Sequence, residues 1–320
     1  MITKKHNHLL SAMMVVVGML FSMVSQVYPL IDTVQADPPE LTAVITMLDS
    51  TSTRMTPHTV HVHATNSSLG DNSYKWQRTR FQWDFDATNI EPEHQTTTDP
   101  RNGDTVDLAK EQEGFNAAYI YNQSGTYTIR LNVTNEVGET DSVTTQVSIE
   151  EDTRTVRYVD AVGGDDSNDG ATTETAWQTF EKAIDEINNA GSNMKVLFKR
   201  GQTFETTESQ SISGIRSNII LGAYGSGDKP CILWTGGNDG QMFSIGFGLD
   251  RENIMLQDLS FDTIYDSTES EVQCLHLSGK LVTVWNCDID NIEEGVDLRE
   301  SVGFYTLNSV SYTHLRAHET

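Results

Sequence analysis

A repeat near the C-terminal end constrains this chain more than any other feature. Ile254, Leu256, Leu259, Phe261 and Ile264 recur as Val282, Val284, Cys287, Ile289 and Ile292, each displaced by 28 residues. Val302, Phe304 and Leu307 open the series again 20 further on, and Ile219, Leu221 and Tyr224 form an earlier, looser copy. An apolar template that stays fixed while its interval wanders between about 20 and 35 residues marks stacked units, each burying its inward side chains on the units above and below. Short strand-like runs at 195–198, 218–221, 231–234 and 242–245 fit the same plan.

A different pattern leads into the repeat. Arg157-Tyr158-Val159-Asp160 reads as a strand, and 163–170 is a turn dense in carboxylates. Trp177, Phe180, Ala183, Ile184 and Ile187 then recur at helical spacing until Gly191 stops them, with Thr173 or Thr175 available as the cap. Asp165, Ser167, Asp169 and Gly170 match the first half of a calcium loop, but Ala176 stands where a bidentate Glu should close it. Asx-turns account for Asp and Asn at such positions, and that is the reading adopted for this turn.

Before residue 150 the period is two throughout. Leu41, Ala43 and Ile45 alternate, as do Val60, Val62 and Ala64, and further strands are expected at 81–85, 117–121, 127–133 and 143–149. Six short strands without helical periodicity predict an antiparallel sandwich. Trp83 and Phe85 share one strand face and are expected in its core rather than as a sugar platform. His61 and His63 share a face like a metal pair, but with no third ligand near them they, with His58, are read as a solvated strand face.

Two family resemblances follow. Trp83-Asp84-Phe85-Asp86, with Tyr121 through Asn135 and Gly138, resembles the PKD (polycystic kidney disease) domain, an immunoglobulin-like module. Where that family has Trp-Asp-Phe-Gly-Asp-Gly, this chain has Trp83-Asp84-Phe85-Asp86-Ala87-Thr88, followed by a long polar insertion from about 89 to 113. The segment Tyr158-Val159-Asp160 through Ala183-Ile184, with Val196-Leu197-Phe198-Lys199-Arg200-Gly201 and Ile220-Leu221-Gly222-Ala223-Tyr224-Gly225, resembles the opening of exported right-handed parallel β-helix proteins, many of them polysaccharide lyases or glycoside hydrolases. The expected fold class is all-β: a PKD-like immunoglobulin-like β-sandwich over 37–150, then over 151–310 the first coils of a right-handed parallel β-helix, whose open end is capped by an N-terminal α-helix.

The resemblance implies a carbohydrate partner, either a polysaccharide or a cell-surface glycan. The coil alignment stacks Asp258 over Asn286 and Thr306, Ser260 over Asp288 and Asn308, and Asp262 over Asp290. Carboxylates at matching positions of parallel strands about 4.8 Å apart repel unless solvated or bridged by a cation. Asp258, Asp262, Asp288 and Asp290 are therefore candidate Ca2+ ligands, and lyases of this architecture pair such an ion with a Lys or Arg base. Lys280 and Arg299 are the candidate catalytic residues, with His276 beside them. Hydrolysis by two of the same aspartates is the alternative chemistry, and a merely solvated polar face is the plain one.

Compartment and partners come from the termini and the charge. Lys4 and Lys5, an apolar run from Leu9 to Val27, and Val34-Gln35-Ala36 make 1–36 an expected secretory signal peptide, so the protein is expected to be extracellular or at the cell surface, with no membrane span after cleavage. Asp and Glu total 46 against 21 Lys and Arg, a formal charge of -25 that repels nucleic acid. Three cysteines, Cys231, Cys274 and Cys287, leave at least one thiol unpaired and make a disulfide framework an unsuitable explanation of the fold. Residues 311–320 abandon the repeat and are expected to be a non-native tail, with further coils in the natural protein. A monomer is expected. Two functions stay open: a secreted carbohydrate-active enzyme, lyase or hydrolase, and a non-catalytic adhesion or glycan-binding protein.

Overall fold

The structure is a computed structural model of the chain, and it describes residues 40–49, 53–71, 73–86, 96–98, 105–107, 111–246, 250–265, 271–292, 294–307 and 310–312. The expected signal peptide and nearly all of the expected tail lie outside the described residues. Strands dominate, and the fold is all-β with one α-helix among the described residues. None of the described helices is long and apolar enough to cross a membrane.

Residues up to Ile149 form antiparallel sheets. One runs Thr140–Ile149, Gly125–Thr134, Arg80–Asp84, Glu111–Glu113, and a second runs Thr46–Met47, His58–His63, Asn116–Tyr121. Alternation drives Tyr127, Ile129, Leu131 and Val133 into one core with Phe81, Trp83 and Phe85. Trp83 is only 1% exposed and its indole N–H donates to the Gly114 carbonyl at 2.7 Å, so it is a core residue and offers no sugar platform. The Tyr121 hydroxyl donates to the Phe85 carbonyl at 2.5 Å, which satisfies the polar end of a fully buried ring. The polar insertion is not wholly a loop: Glu111–Glu113 adds an edge strand beside Arg80–Asp84, and Thr96–Thr98 pairs with Thr105–Asp107. Its charged sequence hides the period because an edge strand needs little apolar burial.

The histidine expectation needs correction. His58 and His61 are buried, not solvated. A second part of the molecule covers the start of this strand at His58 and Thr59, and burial, followed by the nearby His58, lowers the His61 pKa to about 4 despite the opposing pull of Asp49.

From Thr155 onward every ladder is parallel. The strands sort onto three faces that recur in chain order. The first face stacks Gln210–Ile212, Asp239–Ile245, the first part of Glu271–Trp285 and the first part of Glu294–Leu307. The second stacks Thr155–Val159, Met194–Lys199, Arg216–Tyr224, Arg251–Gln257 and the later parts of the same two long strands. The third stacks Thr203–Thr206, Cys231–Trp234, Ser260–Thr263, Asp288–Asp290 and Val310–Tyr312. Leu221, Leu256 and Val284 lie in one register column, and Ile219, Ile254 and Val282 in another. All six are buried, each contributing roughly 1.5–3 kcal/mol by leaving water. The last repeat is displaced by two residues from its expected place: Val282 faces Phe304 and Asp288 faces Val310. A slip of two keeps each residue on its face, so the apolar pattern alone does not detect it.

Corners are made by residues in the left-handed region. Asn193, Asn218 and Asn253 all have φ near +60°, and their side chains form a ladder: Asn253 Nδ2 donates to Asn218 Oδ1 at 2.8 Å and Asn218 Nδ2 to Asn193 Oδ1 at 2.9 Å. Asparagine tolerates this backbone because its short side chain bonds locally. Asp258 and Asn286 repeat the arrangement at the next corner.

The helix Phe180–Ala190 starts later than its apolar pattern suggested. Thr179, not Thr173 or Thr175, is the cap, its hydroxyl accepting from the Lys182 N–H at 3.1 Å, while Gly191 ends the helix at φ +97°. Phe180, Ile184 and Ile187 join the core of the first coils, and Phe180 packs on Phe198 and Phe243. Trp177 lies before the helix, bridged to Val159.

The sandwich rests on the second face. Ile120 packs with Ile220, Met255 and Trp285, and Thr59 Oγ1 meets Thr283 Oγ1 at 2.8 Å. Asn253 Nδ2 donates to His58 Nδ1 at 3.2 Å, and His58 Nε2 donates to Asp49 at 2.9 Å. Arg154, 5% exposed, pins the junction by donating to the carbonyls of Thr56, Met55 and Asn218.

Candidate active site

The third face carries the acidic residues. Phe204, Ile232, Phe261 and Ile289 point inward, so their neighbours point out. One outward column is Thr203, Cys231, Ser260, Asp288, and the next is Glu205, Leu233, Asp262, with Asp290 following at the same 28-residue step. Local hydrogen bonds aim the carboxylates. Asp262 Oδ1 accepts from the Thr263 N–H at 2.7 Å and from Asn291 Nδ2 at 3.0 Å. Lys229 Nζ donates to both oxygens of Asp288, each at 2.9 Å. Among the described residues no cation is ion-paired with Asp290: burial first, then Asp262 and Asp288, raise its carboxyl pKa above the ordinary value against the weaker pull of Lys229. The same surroundings act on Cys231, whose thiol is pushed up to about 11 by burial and then by Asp262, with Ser260 opposing and Asp290 adding. Cys231, Cys274 and Cys287 are all free thiols.

The sequence-derived candidates divide among the faces. Asp262, Asp288 and Asp290 share the third face. Asp258 does not join them: it turns the corner before that face, ion-paired with Arg200 at 3.1 Å and accepting from Asn286. Lys280 sits on the second face, opposite Glu252 and Val302, and five residues of strand, about 17 Å, separate it from Trp285 at the corner. It shares a coil with the acidic residues but not a surface, so it is no base for them. Arg299 falls within the strand Glu294–Leu307, with its side chain outside the described residues. His276 is buried on the first face.

For calcium, no group of three His, Cys, Asp or Glu among the described residues is arranged to hold a metal ion. The Asp-rich turn spends its carboxylates on itself. Asp165 accepts from the Ser167 N–H, Asp169 from the Ala171 N–H, and Asp166 from the N–H groups of Gln178 and Thr179. Burial pushes Asp160 upward, but Lys199, Gly163, Gln202 and Val162 outweigh it and hold that carboxyl well below the usual range.

Sequence reasoning missed Lys229, Arg200 and Asn291. Lys229 lies two coils from Asp288, and the pairing becomes visible only when both loop lengths are known. Sequence reasoning also gave no sign of an open groove of about 600 Å³ on the sandwich, lined by His61, His63, Gln112 and the exposed Phe115.

No family model matches this chain, and no curated protein matches it. Among solved structures it is similar to a GH136 lacto-N-biosidase from Eubacterium ramulus, at 18% identity and TM-score 0.33 in both the native and selenomethionine forms. The native form is matched over 49% of this chain and 30% of the biosidase. It is also similar to a carbohydrate-binding module of the β-sandwich superfamily, at 21% identity and TM-score 0.26, over 37% of each chain. The chain thus spans only about a third of the length of the structures it matches. These likenesses are distant, and the chemistry is read from the chain's own residues.

Proposed function

We propose that this chain is part of an exported carbohydrate-active protein that hydrolyses glycosidic bonds on its third face, with Asp290 as general acid and Asp262 as its carboxylate partner. One observation carries the reading: Asp262 and Asp290 each directly follow the register pair Phe261 and Ile289 on adjacent coils, and the Asp290 pKa is raised by burial and then by Asp262. Adjacent parallel strands lie about 4.8 Å apart, close to the roughly 5–5.5 Å separation of carboxyl groups in retaining glycosidases. In this reading Asp290 gives a proton to the leaving oxygen as the glycosidic C–O bond breaks and Asp262, steered by Thr263 and Asn291, bonds to the anomeric carbon; water, giving its proton to Asp290, then displaces the sugar from Asp262. Lys229 holds Asp288 beside them and neutralises its charge. Hydrolysis is favoured over calcium-assisted elimination because Lys280 lies on another face.

In the same proposal the parallel coils are those of a right-handed β-helix, a hand that almost all parallel crossovers adopt. The sandwich is a PKD-like accessory module whose groove beside Phe115 supports glycan binding. The Lys4-Lys5 start and the apolar run after it support export.

The test incubates the full chain with neutral and uronate polysaccharides, with and without calcium, and follows both new reducing ends and the ultraviolet absorbance of unsaturated uronate. Reducing ends without unsaturation, falling at least about 100-fold in Asp290→Asn and in Asp262→Asn, are expected. Calcium-dependent unsaturated product would replace hydrolysis by elimination. Glycan binding without turnover of any polymer would leave the adhesion reading.

A further inference from the structure

The first face holds a second constellation, independent of the acidic ledge. Ser244, His276 and Asp297 occupy one register column on three successive strands, with Ser211 before them. Phe243, Ile245, Leu275 and Leu277 alternate with them and belong to the core, so the column faces away from those four side chains. Even so, Ser244 is only 7% exposed and His276 2%. A hydroxyl, an imidazole and a carboxylate thus stand in that order, about 4.8 Å apart from strand to strand. Asp297 Oδ2 lies 3.3 Å from His276 Nδ1. Ser244 is the register neighbour of His276 on the preceding strand.

A cation lies near the end of the strand that carries Ser244. Gly246 follows Ser244 by two residues, just past the strand's last residue, Ile245. A Cβ there would stand 2.8 Å from Arg251 Nη2, so the guanidinium occupies the space a side chain would need. Arg251 is itself only 7% exposed. Burial strengthens every charge interaction in such a place.

We propose that Ser244, His276 and Asp297 are the nucleophile, base and orienting carboxylate of an ester-hydrolysing site, with Arg251 stabilising the oxyanion. In this role Asp297 orients the ring from the Nδ1 side and leaves the Nε2 lone pair as the base. Ser244 Oγ attacks the acyl carbonyl carbon and its proton passes to Nε2, while the carbonyl electrons move to the oxygen facing Arg251. Collapse expels the alcohol, which takes the proton from Nε2 and leaves acyl-Ser244. Water then attacks the acyl carbon, gives its proton to Nε2, and the carboxylic acid departs as Ser244 recovers the proton. Resting on the reading of the third face as a carbohydrate site, the substrate class is the O-acyl ester of a polysaccharide.

The experiment treats the full chain with a fluorophosphonate and maps the adduct by mass spectrometry, then measures hydrolysis of p-nitrophenyl acetate. A covalent adduct on Ser244 is expected, with turnover that falls at least about 100-fold in Ser244→Ala and in His276→Ala, and also falls in Asp297→Asn. Labelling of the unmutated protein needs no variant to fold, so it decides the matter if the buried substitutions unfold the coil. Folded protein without an adduct on Ser244, or ester turnover untouched by Ser244→Ala, overturns the proposal. Reducing-end release by the same preparation reads the third face separately, so the failure of one site is not mistaken for failure of the other.

Discussion

Trp83 pairs with Leu131 on the neighbouring antiparallel strand of its sheet, whereas Leu256 pairs with Val284 one coil further along the chain. The sandwich closes a single core from strands far apart in sequence, with aromatic rings such as Phe85, Tyr119, Tyr121 and Tyr127 in mutual contact. The parallel stack has no comparable closure. Each coil buries its apolar side on the next, and at the near end the helix Phe180–Ala190 supplies what a preceding coil would. The contrast has a physical lesson: the sandwich is specified by cross-strand pairing of large side chains, and the stack by repetition of small columns plus corners that only residues tolerant of positive φ can make.

Core truncations break this comparison most strongly. Trp83→Ala is expected to cost about 3–5 kcal/mol and Leu256→Ala about 2–5 kcal/mol. Hydrogen exchange locates the damage: Leu256→Ala raises exchange in the neighbouring strands Arg216–Tyr224 and Glu271–Trp285, and Trp83→Ala raises it only before residue 150. Equal exchange throughout the chain in both variants would show that the two regions unfold as one.

Next in size is the junction. Arg154→Ala leaves three carbonyls without their donor and is expected to cost about 3 kcal/mol, splitting a shared denaturation transition into two. A single transition at the original midpoint would show that Arg154 does not couple the regions.

A pH titration sharpens the contrast further, because His61 belongs to the sandwich. Its folded pKa of about 4 lies below the unfolded value near 6.5, so the unfolded chain binds the proton first. Stability is full above about pH 6.5 and is lost as the pH falls toward 4, by about 2 kcal/mol at pH 5. His61→Gln should flatten that part of the profile in denaturant melts of the sandwich. The smallest effect is the Thr59–Thr283 hydrogen bond, for which a double-mutant cycle with valine should give a coupling of about 0.5–1 kcal/mol.

Much of this architecture was legible before any coordinates. Alternation placed Trp83, Phe85 and Leu131 in a core, and the 28-residue step placed Leu256 over Val284. The helix face of Phe180, Ile184 and Ile187 was equally plain, although its cap was misplaced because Trp177 carries the apolar pattern upstream of Thr179. The sites were less legible. Asp262 and Asp290 emerged from the repeat, but Asp258 was grouped with them because register predicts a column and not a corner. The burial of His58 is not legible because nothing in a strand's own period says that another domain will cover it, and His61 is buried beside a groove of the sandwich itself.

Local chemistry in the chain determined which side of each strand is buried, where the corners fall, and that successive coils stack. Tertiary structure alone decided which outward residues become neighbours. The interval between coils changes with each loop, 29 residues from Leu233 to Asp262, 28 from Ser260 to Asp288 and 22 from Asp288 to Val310, so the partner of an outward side chain depends on all the loops between them. For that reason Ser244, His276 and Asp297 look unrelated along the sequence and stand in one column in the fold.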